Sequence, residues 1–173
     1  MPTRPSAYDK NLGQLRMLGP IDGDWVDAGC GAGAFTLPLA TLVSGVKAID
    51  IQAETLERLR ARVPDNVTCI QGDIYKDALT QDATAGGVLF AFSLHYRANR
   101  KTAIQNARRA LVPGGQIVLF DYDFRAPRPW VPVPLSLKRA EGLLKEAGFT
   151  PEVIYTNSRF YILRGWLPTG RLA

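Results

Sequence analysis

Short apolar runs alternate with segments of helical periodicity along the chain. Runs at 25–28, 46–50, 67–71, 88–92 and 116–121 have the length of strands and are bounded by turn residues. Apolar positions recurring every three or four residues predict helices at 34–42, 53–63 and 101–111, after the first, second and fourth runs. Strands that alternate with helices are joined by crossovers, so the pattern predicts a parallel sheet with helices over both faces. Ahead of it, Leu12, Leu15 and Leu18 share one face of a helix in an N-terminal helical segment, 1–20, which Gly19 and Pro20 stop. Val112, Pro113, Gly114 and Gly115 end the 101–111 helix. Pro127, Pro129, Pro132 and Pro134 make 123–135 a stiff, extended loop on the substrate side, without regular structure. Ser136 is the expected cap of a helix whose buried side is marked by Leu137, Ala140, Leu143, Leu144 and Ala147, and which Gly148 ends. Two last runs, 152–155 and 160–163, read as a hairpin turning tightly at Asn157 and Ser158.

Composition narrows the picture only in part. A chain of 173 residues, 46% hydrophobic and 21% charged, is sized for one core, so a single domain over 1–173 is expected. No apolar run approaches bilayer length, and the opening residues lack the apolar stretch of a secretory signal, which predicts a cytoplasmic protein with no membrane partner. Cys30 and Cys69 form no C-x-x-C pair and one histidine accompanies them, which supports neither a disulfide framework nor a metal site. A net charge of +5 suits a nucleic acid, a solvated basic surface and a pocket for an anionic small molecule equally well.

Gly29, Gly31 and Gly33 lie between a predicted strand and a predicted helix, where absent side chains let main chain press against a ligand. Gly29, Gly31 and Ala34 also satisfy a dinucleotide fingerprint with Asp50 near the distance of a ribose-binding acid, so the turn alone leaves NAD and S-adenosylmethionine both open. The turn's company decides. Asp27, Asp50 and Asp73 stand at or just past the ends of three successive strands, and those ends line one crevice. A single strand-end aspartate commonly caps a helix or closes a turn; three in register argue against that plainer reading. With VDAGCGAG over 26–33, AIDI over 48–51, GDI over 72–74 and LVPGG over 111–115, nearly the whole chain resembles the class I S-adenosylmethionine-dependent methyltransferases.

The resemblance implies a Rossmann-like α/β fold, a three-layer α/β/α sandwich on a mostly parallel seven-stranded sheet ending in an antiparallel hairpin. It implies S-adenosylmethionine as cofactor. Asp27 would meet the amino group of its methionine portion, Gly29, Gly31 and Gly33 would pack beside methionine and ribose, and Asp50 would take both ribose hydroxyls. Ile51 would cover the adenine, Asp73 would accept from its amine with Ile74 alongside, and Phe92, Ser93 and Leu94 would lie near the reactive methyl. Carboxylates suit a ligand bearing ammonium and sulfonium charges, whereas a pyrophosphate prefers a site free of them.

Methyl transfer from a sulfonium is an in-line displacement that needs alignment and exclusion of water more than acid–base help. His95, just past the fourth strand, is the candidate base where an acceptor needs one; a structural role weighs more heavily because a Leu-His pair stands here in similar enzymes. Arg97, Arg100 and Lys101 follow the fourth strand, and Arg125 and Arg128 follow the fifth, with Asp121 and Asp123 partly offsetting them. These cations predict an anionic small-molecule acceptor, carboxylated or phosphorylated, with Trp130 as a lid; ordinary solvated loop charge is the plainer reading. RNA stays open as an acceptor, although Phe92, Ser93, Leu94 and His95 stand where base-amine methylation would place [DN]-P-P-[FYW], and neither cysteine is placed to attack a base. An NAD(P)-dependent oxidoreductase, a non-catalytic S-adenosylmethionine-binding module and an acceptor site completed by a second copy in a homodimer are the competing readings. Ala85, Gly86 and Gly87 stand where similar enzymes often carry an aspartate, at the strand end expected to lie far from the cofactor.

Overall fold

The computed structural model describes residues 5–170; the outermost residues of the expected 1–20 segment and 1–173 domain, 1–4 and 171–173, lie outside the described residues. Its elements run α1 (Ala7–Arg16), β1 (Asp24–Ala28), α2 (Thr36–Leu39), β2 (Gly45–Asp50), α3 (Ala53–Arg60), β3 (Val67–Gln71), β4 (Ala85–Ala91), α4 (Arg100–Ala110), β5 (Leu111–Tyr122), α5 (Leu137–Glu146), β6 (Thr150–Thr156) and β7 (Phe160–Trp166). The seven strands form one sheet in the order β3-β2-β1-β4-β5-β7-β6. β1 to β5 pair in parallel, and β7 enters antiparallel between β5 and β6. This is the α/β sandwich that the alternation of runs implied.

Period-two alternation along the strands divides the core into two layers. Val26, Val88, Ile117 and Leu119 face one side, where they pack with Ala103, Ile104 and Ala107 of α4 and with Ala140 and Leu144 of α5. Trp25, Leu89, Val118 and Phe120 face the other, packing with Leu15 of α1, Leu39 of α2, and Leu56 and Leu59 of α3. Strands buried on both faces read as continuous apolar runs, which is why the first, fourth and fifth runs stand out in the sequence. α1 begins at a capping box: the Ser6 hydroxyl accepts from the Asp9 N–H, and the Asp9 carboxylate accepts from the Ser6 N–H.

Several local expectations change. The 34–42 helix shrinks to α2, and tight turns at Thr41 and Leu42 follow it. α3 stops at Arg60; Arg58 pairs with Glu54 on its exposed face, and Arg62 turns back and donates to the Ala32 carbonyl at 2.8 Å. Cys69 is half-buried, because β3 is the sheet edge. Val112 to Gly115 do not follow the helix as a loop; they open β5, with a register shift against β4 between Ala85 and Gly87. Ala85, Gly86 and Gly87 start β4, at the strand end away from the cleft. Ser136 stands at the N-cap of α5, but its side chain makes no capping bond; the Asp123 carboxylate accepts from the Leu137 N–H at 2.9 Å instead. The 123–135 loop is not extended throughout, because Arg128 and Val131 exchange both backbone bonds and Val131 and Leu135 are buried.

A side chain at Gly87 would collide with the Trp25 ring, where β1 and β4 lie side by side. Gly87→Ala is expected to destabilise by about 2 kcal/mol through overpacking, read as a midpoint shift in urea unfolding.

Candidate active site

β1, β2 and β4 run parallel, so their carboxyl ends meet on one edge, and the strand order reverses there between β1 and β4. A cleft of about 450 Å³ opens at that point. The turn after β1 is pinned to β2, since the N–H groups of Gly29 and Cys30 both donate to the Ile49 carbonyl at 2.8 and 2.9 Å. Gly29 and Gly33 have φ of 81° and 84°, in the left-handed region that a Cβ disfavours. A Cβ would also strike Ser93 from Gly29 and Leu59 from Gly33. Gly31 serves differently: nothing lies within 4 Å of where its Cβ would stand, and it faces the cleft, so its missing side chain leaves room for a ligand.

Asp27, next to last in β1, is 1% exposed. Thr36 of α2 donates to its Oδ2 at 2.6 Å, while Oδ1 is buried with no hydrogen-bond partner among the described residues. Burial lifts its pKa from 3.8 to about 6, helped by the charge of Asp50 and opposed by the Thr36 hydroxyl. Asp50, at the end of β2, accepts from the Gly31 N–H on one oxygen at 2.8 Å and from the Gln52 N–H on the other at 2.9 Å. The two bonds brace the carboxylate and leave each oxygen a further lone pair.

Asp73 accepts from the Tyr75 N–H at 3.0 Å on one oxygen and pairs with Arg97 at 2.8 Å on the other. Burial acts to raise its carboxyl, but the Arg97 hydrogen bond, the Tyr75 N–H and the charges of Arg97 and Lys76 together hold it below the usual range. Tyr75 lies beneath the Arg97 guanidinium and donates its O–H to the Ser93 carbonyl at 2.7 Å; burial lifts its pKa to about 12, so it stays protonated. The Ser93 hydroxyl donates to the Ala28 carbonyl at 2.7 Å, closing the turn against β1. Phe92 has φ of 55°, a conformation strained for a bulky side chain, and its N–H donates to the Phe120 carbonyl at 2.7 Å.

Asp27, Gly29, Gly31, Asp50, Ile51, Asp73, Ile74, Phe92 and Ser93 thus line one cleft. Gly33 is not a wall; it makes room for Leu59. Tyr75 and Phe35 are walls that no sequence signal marked, because they become neighbours only when the strand ends meet, and Tyr96 is a further wall. Of the five cations expected at the rim, three have other engagements. Arg97 holds Asp73, Lys101 pairs with Glu146 at 2.7 Å, and Arg100 is 2% exposed and bonds the backbone carbonyls of Leu94, Val133 and Pro134. Arg125, Arg128 and Trp130 are exposed outside the cleft walls. His95 is buried outside those walls too, its Nδ1 hydrogen-bonded to Asp121 at 2.7 Å and its carbonyl accepting from the Val133 N–H.

A model of the methyltransferase domain family matches residues 26–119, more than half of the chain, and the chain belongs to that family. Its cofactor is S-adenosylmethionine. Probable ribosomal RNA small subunit methyltransferase A of Pyrobaculum aerophilum is 46% identical over 56 residues, 32% of this chain and 25% of that protein. Nodulation protein S of Rhizobium tropici is 30% identical over 105 residues, 58% of this chain and 43% of that protein. The matched part of the chain therefore spans less than half the length of either relative. In fold, the chain is similar to the solved DhpI–SAH complex, with a TM-score of 0.78 and 22% identity over 92% of this chain and 83% of that one. The residues present fit the cofactor: an unpartnered buried carboxylate oxygen for an ammonium, a braced carboxylate for a diol, and bare main chain at Gly31.

Two substitutions probe the site. The folded pKa of Asp27 lies above its unfolded value, so the stability it contributes is present below pH 4 and is lost as pH rises through 6. Asp27→Asn is expected to stabilise the ligand-free protein at pH 7.5 by up to roughly 3 kcal/mol, with no gain at pH 4, while weakening S-adenosylhomocysteine (SAH) binding by about tenfold or more; denaturation at both pH values and calorimetry read the two effects. His95→Ala should lower Tm by roughly 5–10 °C, because it strands the buried Asp121 carboxylate, yet leave SAH affinity within about twofold.

Proposed function

We propose that this chain transfers the methyl group of S-adenosylmethionine to an anionic small-molecule acceptor. One observation carries the reading: Asp27, Asp50 and Asp73 converge beside Gly31 in a single cleft, and a buried oxygen of Asp27 has no partner among the described residues. A buried carboxylate oxygen left unsatisfied is costly unless a ligand donor reaches it, and an ammonium supplies that donor. Three carboxylates around a pyrophosphate would repel it, which argues against the NAD(P) reading.

When bound, the cofactor supplies a methyl group on a sulfonium that is already a good leaving group. The chain's own residues bind, orient and exclude water. Asp27 and Asp50 hold the two polar ends of the amino acid and ribose portions, while Asp73, braced by Arg97, accepts from the adenine amine between Ile51 and Ile74. Phe35, Ala91 and Phe92 form an apolar wall at the end of β4 that keeps bulk water from the reacting centre.

The anionic acceptor is supported by Arg125 and Arg128, which enter no ion pair among the described residues, and by Trp130, which is 57% exposed on the same loop and available as a lid. His95 is assigned a positioning role: through Asp121 and Val133 it ties the segment after β4 to β5 and to the proline loop. Cysteine-dependent modification of an RNA base lacks its nucleophile. Burial, then the charges of Asp27 and Asp50, push the Cys30 thiol far above its ordinary value. The proposed location is the cytoplasm; among the described residues no helix is long and apolar enough to cross a membrane.

Thermal shift separates the readings. S-adenosylmethionine and SAH at about 100 times Kd should each raise stability by about 2.7 kcal/mol, and NADH should not; a larger rise with NADH would overturn the proposal. Incubation with labelled methyl donor and fractionated cell extract is expected to label an acidic small-molecule fraction, whereas label confined to RNA would exclude the acceptor class.

A further inference from the structure

Aromatic rings form a row that starts at a wall of the cleft and leads away from it. The ring of Phe92, a cleft wall, lies 4.8 Å from that of Tyr122, centroid to centroid. Tyr122 stacks on Phe124 at 5.2 Å with the planes 9° apart, and the Arg128 guanidinium lies over Phe124, 5.6 Å from its centroid. The three rings are partly exposed, and so is Tyr96, another cleft wall, which joins the row through His95. Tyr122 ends β5, while Phe124 and Arg128 stand on the loop that follows, so the row leads from the end of β4 outward to a cation. Burial alone does not account for rings left partly wet at a sheet end. The left-handed backbone of Phe92 holds the first of them in place at a cost in strain.

The arrangement of the rings states what they would hold. Tyr122 stacks on Phe124 and Arg128 lies over the Phe124 ring, while the Phe92 ring is tilted 43° to that of Tyr122, so partly exposed aromatic surface ends beside a cation. Such surface meets a flat π-system in offset-stacked or edge-to-face packing, which adds to the contact area it buries. Arg128, in no ion pair among the described residues, offers a planar fork of N–H donors that matches a carboxylate. A saturated ligand would gain contact area alone, and a cation would be repelled at the Arg128 end.

We propose that Phe92, Tyr122 and Phe124 are the acceptor platform and that the acceptor is a small planar aromatic carboxylic acid, its rings on the platform and its carboxylate on Arg128. The inference rests on the methyl transfer proposed above, and its test keeps the two apart. SAH binding is measured first by thermal shift; its absence would sink the methyl-transfer reading, whereas the platform is judged on protein saturated with SAH. Calorimetry then compares naphthalene-2-carboxylate with decahydronaphthalene-2-carboxylate, which has the charge without the π-face, and with 2-naphthylmethylammonium, which has the rings with the opposite charge. Naphthalene-2-carboxylate is expected to bind about fivefold or more tightly than either. Arg128→Gln should weaken it about fivefold, and Phe124→Leu should abolish its advantage over the saturated acid; a Tm that still rises with SAH shows that each variant is folded. Equal binding of the two acids, tighter binding of the ammonium, no effect of Arg128→Gln, or no binding of naphthalene-2-carboxylate at millimolar concentration would each overturn the platform.

Discussion

The parallel pairing of β1 with β2 on one side and β4 on the other is the constraint from which the site follows. Residue for residue, Ala28 pairs with Ile49 and Asp27 with both Ala48 and Leu89, so the chain leaves β1, β2 and β4 at one level. The first turn can then donate two N–H groups to a single carbonyl of β2, and Asp50 can reach the Gly31 N–H. A slip of one residue between β1 and β2 would turn every side chain of β1 to the opposite layer, sending Trp25 among the residues of α4 and α5. The two-layer core protects the register, and the register makes the cleft.

Within that frame the cleft is held at some expense of stability. Asp27 is buried with half its carboxylate unpartnered, Phe92 sits in a left-handed conformation, and Asp121 has a buried oxygen without a partner behind His95. Each feature lowers the stability of the ligand-free protein, and in the function proposed above the first is the one that an ammonium would relieve. The strain gathers at the carboxyl ends of β1, β4 and β5, while the opposite ends of those strands are packed to the point where Gly87 has no room for a methyl group beside Trp25.

The order of helices and strands was legible because buried parallel strands are apolar on both faces and the helices between them are not. Asp27, Gly29, Gly31, Asp50 and Asp73 were legible because their distances from the strand ends follow from backbone geometry alone. Other expectations depended on distant partners. Ser136 has the chemistry of a cap, yet Asp123, thirteen residues earlier, reaches the α5 N-terminus instead. Arg97, Arg100 and Lys101 look alike in sequence, but one braces Asp73, one ties three backbone carbonyls in the interior, and one pairs with Glu146 on α5. Pro113, Gly114 and Gly115 carry the signals that end a helix, but α4 ends directly at β5, and those residues form the irregular start of that strand.

The residues by themselves determined the run of elements, the bare turn and the three strand-end carboxylates, because hydrophobic period, glycine and strand length act over a few neighbours. Which cation faces which anion, which aromatic rings touch, and whether His95 meets the cleft or the interior were decided by packing. Those relations join positions that lie far apart along the chain, and only the closed sheet and its two covering layers bring them within reach.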